Sequence, residues 1–284
     1  MRALLASTAL AFLAFAAPAP AQGPSPAIAQ GVSGAVNLAP HRAVYDLSLA
    51  KSGGSRGVES ARGRIALDFG GDACEGYELK YRQVTVLESG ETGGRTADLR
   101  TTTFEDGDGR SFRFKTDSAL QSGAPTSIDG EAEREGAEIE VRLRRPKRDS
   151  FPIAGDSLFP SAHMKRLIEA ARAGETTVGV KVFDGSDDGR KVYDTLAVIG
   201  RRIEPGAVEG EPASNHEALA KTARWPVTLS YFAPGDGERT PIYVISFEMY
   251  ENGVSRALTL DYGEFALKGA VQSIEMLPPS ACQR

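Results

Sequence analysis

Residues 242–262 read IYVISFEMYENGVSRALTLDY, two alternating runs of apolar and polar residues on either side of Asn252-Gly253. Alternation with a period of two is typical of a β-strand that buries one face. Asn-Gly between two such runs indicates a two-residue turn of type I′, because both central residues of that turn need positive φ. This stretch therefore predicts two antiparallel strands joined by a tight hairpin.

The same alternation recurs along most of the chain. Gly- and Asp-rich turn signals separate the runs, as at 106–109 and 235–237. The pattern predicts about fourteen strands in an antiparallel barrel, sandwich or curled sheet. Besides the hairpin above, the runs occupy 45–49, 62–69, 77–81, 112–114, 139–143, 178–183, 192–199, 227–232 and 271–277.

The stretch 161–173 breaks this rule, because its apolar residues recur at helical spacing. Pro160 or Ser161 suits the start of a helix and Gly174 suits its end. A second, shorter helix is expected at about 214–222. We therefore expect a mainly all-β fold, a long antiparallel sheet curled around one or two short helices on its concave face. The apolar stripe of the first helix consists of Met164, Leu167, Ile168 and Ala171.

The amino-terminal residues have the pattern of a secretory signal peptide. Arg2 precedes an apolar run, and small residues lead to Ala19-Pro20-Ala21. We expect cleavage after Ala21 rather than an uncleaved anchor, because the run is short and rich in alanine. The expected organisation is a signal peptide at 1–21, a flexible lead at 22–40 and a single β domain at 41–284. No later segment is apolar enough to cross a bilayer, and the periplasm is the expected location.

Composition argues against nucleic acid as a partner. The net charge is −5 and both signs are interspersed, whereas phosphate binding requires a basic surface. The basic run at 142–148 follows the alternation of Val141 and Leu143, which indicates a solvated strand face continuing into a loop.

Cys74 and Cys282 are the two cysteines of the chain. In an oxidising compartment an isolated pair usually forms a disulfide. The alternatives are a metal site or a redox pair, although the two residues have no metal-ligand spacing and no C-x-x-C motif is present. We expect a structural disulfide.

No motif selects a catalytic, metal or cofactor site. The three histidines, His41, His163 and His216, are scattered, and Ser161 lies two positions from His163, where helical side chains do not face each other. The segment 184–189 resembles the start of a calcium loop but has Thr195 where the bidentate Glu is needed, so a polar hairpin turn is the simpler interpretation.

A sugar hydrolase would need a pair of carboxylates, and nothing in the sequence selects one. With a single tryptophan, Trp225, platforms for stacking sugars are also expected to be scarce, and Trp225 is better explained by core packing.

Taken in order, several short motifs resemble the envelope integrity protein B family, the EipB-like proteins of Gram-negative bacteria. The resemblance spans about 38–282. The motifs are Leu38-Ala39-Pro40-His41-Arg42-Ala43-Val44-Tyr45, Cys74-Glu75-Gly76, Leu158-Phe159-Pro160-Ser161-Ala162-His163, Phe183-Asp184-Gly185-Ser186, Trp225-Pro226-Val227, Pro241-Ile242-Tyr243, Asn252-Gly253-Val254, Asp261-Tyr262-Gly263-Glu264-Phe265 and Cys282.

The resemblance implies a periplasmic protein with a long spiral-like antiparallel sheet and a Cys74–Cys282 disulfide. It also implies a role in envelope integrity and stress resistance, and a genetic link to a periplasmic tetratricopeptide-repeat protein. No catalytic residues, metal or cofactor are implied, so we expect a protein that is not an enzyme.

Three functional hypotheses follow. The first is a non-enzymatic binding or scaffold protein of the envelope. The second is a carrier of lipid or lipid-linked molecules, in which Met164, Leu167 and Ile168 would line or gate an apolar cavity, although ordinary core packing is the favoured interpretation of this stripe. The third is a cell-wall hydrolase.

Substitution of Cys74→Ser, or chemical reduction, should lower the thermal midpoint of unfolding. The disulfide would close a loop of roughly 200 residues, for which chain entropy gives at most about 5 kcal/mol of stabilisation. Circular dichroism melts of the oxidised, reduced and substituted chains measure the effect. An unchanged midpoint after verified reduction would contradict the pairing.

Overall fold

Period-two alternation produces one continuous sheet of fourteen antiparallel strands in the computed structural model, which describes residues 34–53, 57–90, 93–121, 123–235 and 237–278. The strands are His41–Ser52 (β1), Ser60–Asp72 (β2), Gly76–Ser89 (β3), Gly93–Glu105 (β4), Ser111–Leu120 (β5), Thr126–Glu135 (β6), Glu138–Arg145 (β7), Asp149–Ala154 (β8), Thr177–Val182 (β9), Tyr193–Ile199 (β10), Arg224–Phe232 (β11), Tyr243–Tyr250 (β12), Ser255–Asp261 (β13) and Phe265–Met276 (β14).

The first and last strands lie side by side in the middle of the sheet. From β1 the neighbours run from β2 to β8 in one direction and from β14 down to β9 in the other. The two edge strands, β8 and β9, are therefore consecutive in the sequence. The segment that connects them has to pass from one edge of the sheet to the other.

The sheet curls until its two edges approach each other. Leu158, just beyond β8, forms a parallel bridge with Val182 of β9. The Leu158 N–H donates to the Lys181 carbonyl at 2.8 Å, and the Phe183 N–H donates to the Leu158 carbonyl at 2.9 Å. The predicted fold class, a mainly β, curled antiparallel sheet of about fourteen strands with short helices, is confirmed.

Alternate residues of each strand face the concave side and form the main core. In β1 the buried side chains are Ala43, Tyr45 and Leu47, and across the β1–β2 pairing Ala43 lies opposite Leu67 and Tyr45 opposite Ile65. Intervening residues face outwards, where ion pairs such as Arg64–Asp46 at 2.8 Å connect neighbouring strands. A slip of one residue in the pairing would exchange these two faces, so burial fixes the register.

Helix α1, Pro160–Ala173, lies in the connection between the two edge strands. Its Leu167 and Ile168 are almost fully buried in the same core as Trp225 of β11 and Met249 of β12. Gly174 ends the helix at φ 76°, and its N–H bonds the last-turn carbonyls. The left-handed conformation explains why a glycine stands there. No helix in the described part of the chain has the length and apolarity needed to span a membrane.

A second core cluster of phenylalanines packs the connecting segment against β5. The Phe159 ring lies 5.1 Å from the Phe112 ring, and the Phe183 ring meets Phe112 and Phe114 edge-on at 6.4 and 5.5 Å. All four side chains are at most 2% exposed. The residues on either side of α1 and β9 therefore close the curl by burial of aromatic rings.

The expected second helix divides into two short pieces. A 3₁₀ turn at Pro212–Ser214 is followed by α2 at Glu217–Ala220. The imidazole of His216 accepts the N–H of Ala218, which caps α2. Glu211, just before the turn, accepts from Arg256 of β13 at 2.6 Å, so a largely buried ion pair holds this excursion against the sheet.

The prediction of a flexible lead at 22–40 is wrong for the last part of that segment. Val36 and Leu38 are 5% and 6% exposed within the main core, and the Ala39 N–H donates to the Asn252 carbonyl at 2.8 Å. The compact unit accordingly begins at Gly34 rather than at His41. Val36 and Leu38 are apolar residues spaced two apart, the spacing at which an extended chain turns its side chains to the same side. The signal peptide and 22–33 lie outside the described residues.

The basic run of β7 lies on the convex face, as the alternation indicates. Arg142 pairs with Glu133 at 2.7 Å and Arg144 with Asp129 at 3.0 Å, all four side chains being partly exposed. Such pairs stabilise a fold by at most about 1 kcal/mol each.

Candidate functional site

The end of the sheet covered by α1 encloses a cavity of about 210 Å³. Its walls come from β1 to β4, the first turn of α1 and the turn between β12 and β13. The side chains that give the walls their character are His41, Tyr45, Leu67, Phe69, Leu79 and Met164. The surface is therefore mainly apolar with a few polar groups, the composition typical of small binding sites.

Aromatic rings fix the shape of one wall. The Phe69 ring stacks on Tyr77 at 5.6 Å, and the His41 ring lies 5.8 Å from Phe69. The Tyr45 hydroxyl donates to the Ser255 carbonyl at 2.7 Å, and burial raises the pKa of Tyr45. These contacts hold the rings in place without a ligand.

Glu105, the last residue of β4, caps helix α1 from a distant strand. Its two carboxylate oxygens accept the N–H groups of Ser161 at 2.6 Å and Ala162 at 2.8 Å. The residue before the helix, Phe159, has no side chain that could do this, and Pro160 has no N–H. Glu105 therefore satisfies helix donors that would otherwise be left unpaired. Burial raises the pKa of Glu105, and these hydrogen bonds oppose that effect.

Lys165 places a positive charge beside this wall. Its ammonium group lies 4.5 Å from the centre of the Tyr77 ring and donates to the Gly107 carbonyl at 3.2 Å. Burial lowers the pKa of Lys165, while the nearby carboxylate of Glu105 favours the charged form. The cation–π contact and the carbonyl hold α1 against the β3 and β4 ends of the sheet.

Ser161 and His163 do not form a nucleophile–base pair. The Ser161 backbone is bound to Glu105, and the His163 ring is 5% exposed with no hydrogen-bond partner for Nε2 among the described residues. Burial lowers the pKa of His163 to about 4. The imidazole is consequently neutral at physiological pH and serves as a buried ring.

The polar segment 184–189, which follows β9, forms a turn. Oδ1 of Asp184 accepts the N–H of Ser186 at 2.9 Å, and Lys191 pairs with Asp187. The described residues contain no cluster of His, Cys, Asp or Glu with the geometry of a metal site.

The structure separates the three residues expected to line a cavity. Met164 lies on the cavity wall, whereas Leu167 and Ile168 are 1% and 0% exposed in the packed core. Cys74 lies in the turn between β2 and β3, where its N–H donates to Asp72 at 2.7 Å. Cys282 lies outside the described residues, so the disulfide stays a prediction.

Sequence reasoning missed Glu105, Lys165 and the rings of Tyr45 and Phe69. Tyr45 and Phe69 fall within predicted strands, so the alternation gives their inward orientation but not their part in a cavity. Glu105 carries no local signal, because its partners lie 56 and 57 positions away.

Similar proteins were found at the levels of sequence and structure. The profile of the EipB-like family matches residues 32–278. The cell envelope integrity protein EipB of Brucella abortus (strain 2308) is 36% identical over 249 residues, which cover 87% of this chain and 88% of that protein. The crystal structure of a beta-barrel-like protein of a domain of unknown function from Brucella abortus is similar with a TM-score of 0.79. It has 36% identity and covers 86% of this chain and 100% of the other.

Acidification should unfold the protein partly through His163. Because its folded pKa of about 4 lies below the unfolded value of 6.5, its stability contribution is complete above pH 6.5 and is lost as the pH falls towards 4. The loss is about 3 kcal/mol, since one pKa unit corresponds to about 1.4 kcal/mol.

Denaturant titrations of the wild type and of His163→Gln between pH 7.5 and 4 measure this contribution. The substituted chain should show a flatter pH dependence, while His216→Asn, an exposed control that keeps the cap of α2, should follow the wild type. The lowered pKa of His41 and the raised pKa of Glu105 act in both chains and cancel in the comparison. Identical pH profiles for the wild type and His163→Gln would refute the assignment.

Proposed function

This chain belongs to the EipB-like family, and on that premise we propose that it maintains the integrity of the cell envelope as a non-enzymatic binding protein of the periplasm. The relative's name, cell envelope integrity protein, supports the role in the envelope. The mode of action is argued from the cavity beside α1.

The cavity is the observation that carries the proposal. An engineered apolar cavity of about 150 Å³ takes up benzene, so a volume of about 210 Å³ suits one bulky apolar side chain or a similar group. Preformed walls reduce the loss of conformational entropy on binding. We propose that an envelope component inserts an apolar group here. A periplasmic tetratricopeptide-repeat protein is the candidate partner that the family resemblance suggests.

The arrangement of the titratable groups supports binding rather than catalysis. Both oxygens of Glu105 already accept helix N–H groups, and the ammonium of Lys165 is held by a carbonyl and a ring. A general acid or base needs a free site within hydrogen-bond reach of substrate. The polar atoms of Glu105 and Lys165 instead hold α1 in place, which is a structural role.

A second candidate function is the carriage of lipid. The apolar side chains of Leu67, Phe69 and Met164 on the cavity wall favour it. The volume argues for a smaller occupant, because it holds a short piece of an acyl chain and not a whole one. A carrier would require the interior to widen, for example by movement of α1.

Filling the cavity should abolish function while the fold persists. Met164→Trp places an indole ring in the cavity, whereas Glu169→Trp places the same ring on the exposed face of the same helix. In a strain deleted for the gene, we expect Glu169→Trp to restore resistance to deoxycholate and Met164→Trp to fail.

Immunoblots and melting curves establish that both variants accumulate and fold. Full complementation by a stable Met164→Trp chain would show that the cavity is not the functional site.

Partners are then compared by crosslinking in intact cells, where the wild type and Glu169→Trp should give the same adduct and Met164→Trp should lose it.

Native mass spectrometry of the chain purified from periplasm without detergent separates binding from lipid carriage. We expect the mass of the ligand-free chain, two hydrogens lighter than the reduced form because of the disulfide. A discrete additional mass of lipid size, present in the wild type and lost in Met164→Trp, would instead establish the carrier function.

A further inference from the structure

The sheet end that α1 does not cover carries a row of aromatic rings on its concave face. Neighbouring ring centres are 5.9, 5.9, 5.1 and 5.0 Å apart along the row. The rings belong to β10, β11, β12, the turn after β13 and the start of β14. We call this set the aromatic row; its members are Tyr193, Tyr231, Tyr243, Tyr262 and Phe265.

Uncharged hydrogen-bonding groups of β3 face the row. The Tyr81 hydroxyl donates to Oε1 of Gln83 at 2.5 Å. Nε2 of Gln83 donates to the Thr85 hydroxyl at 3.1 Å and to the Tyr262 hydroxyl at 3.3 Å. One amide thus joins the β3 side of the curl to the aromatic row, and its orientation is fixed by three partners.

Most of these inward-facing side chains are only partly buried, although Tyr193 is 6% exposed and burial raises the pKa of Tyr81, Tyr231 and Tyr243. Tyr262 is 38% exposed, and Tyr81, Gln83 and Tyr243 are half-buried although they face the concave side. Leu120 at the far end of β5, which shares the inward face with Phe112 and Phe114, is 56% exposed. At the end covered by α1 the corresponding positions, such as Ala43, are buried. Solvent therefore reaches Tyr262 at this end, while the other rings of the row are covered in part by one another and by the main core.

The chemistry of this surface selects the class of ligand. Ring faces accept apolar C–H surfaces, and phenol, amide and hydroxyl groups donate and accept hydrogen bonds without charge. An acyl chain would use none of the remaining hydrogen-bonding capacity of the phenols and the amide, whereas a hydroxylated ligand would. Asp184 and Asp187 both lie near the row, but Oδ1 of Asp184 accepts the N–H of Ser186 and Asp187 pairs with Lys191. Sugar rings, apolar on their faces and hydroxylated at their edges, match both features.

We propose that the aromatic row, together with Tyr81 and Gln83, binds a neutral saccharide chain. The four tyrosines and one phenylalanine of the row supply the stacking surface that a single tryptophan cannot. This site lies at the opposite end of the sheet from the cavity beside α1. The inference goes beyond the function proposed above and stands or falls separately from it.

Titration calorimetry of the full mature chain with maltohexaose and with chitohexaose, both uncharged, tests the proposal. We expect at least one of them to bind. Tyr262→Ala should weaken that binding by about tenfold, in line with loss of an aromatic anchor. Tyr262→Phe keeps the ring and should weaken it less. Gln83→Leu, which keeps the size but removes the amide, should also weaken it.

Leu196→Ala is the matched control, because Leu196 is 42% exposed on the convex face of β10. It should leave binding unchanged. Circular dichroism confirms folding of each variant. The proposal is overturned if neither oligosaccharide binds at millimolar concentration, or if folded Tyr262→Ala and Gln83→Leu both bind like the wild type.

Discussion

The fold depends on how the segment between β8 and β9 is held, because it runs from one edge of the sheet to the other and carries the Leu158 bridge to β9. Arg134 of β6 donates to the carbonyls of Gly155 and Ser157, which fixes the start of this segment. Glu105 then binds the first turn of α1. A buried carboxylate is tolerated only where its hydrogen bonds offset the loss of hydration. These two side chains thus support the short backbone bridge of Leu158 to β9, where a closed barrel would have a full strand pairing.

The same arrangement makes the two ends of the curled sheet different. At one end α1 fills the opening, and the cavity is the space that its first turn leaves beside Phe69 and Tyr77. At the other end the rings of the aromatic row pack against one another, and the amide of Gln83 donates to the hydroxyl of the partly exposed Tyr262. Apolar walls with fixed polar groups favour an apolar guest at the first end. The exposed ring of Tyr262, with its hydroxyl and the amide of Gln83 beside it, favours a hydroxylated guest at the second.

The sequence predicts the strands whose inward residues are apolar, such as β1, β12 and β13, because their alternation is visible. It does not reveal β4, whose inward positions include Thr101 and Thr103, so that neither face looks buried. The sequence does not reveal the role of Glu105 at the end of β4 either, because the N–H groups that it binds lie 56 and 57 positions away. Local patterns also leave barrel, sandwich and curled sheet open. That choice is made by the contact between Leu158 and Val182, which no local pattern encodes.

The aromatic row is likewise a feature that local sequence patterns cannot predict, here for a candidate binding surface. Tyr231 and Tyr243 read as ordinary strand residues, and Tyr262 as part of a turn. Only the antiparallel pairing of β11 with β12 sets Tyr231 opposite Tyr243, and only the curl brings Gln83 of β3 to Tyr262. A search for tryptophan platforms therefore misses the surface, because what matters for stacking is the spacing of rings across neighbouring strands. In a sheet this spacing is set by the distance of about 4.8 Å between strands, so any strand-opposed tyrosines on an unfilled concave face form such a row.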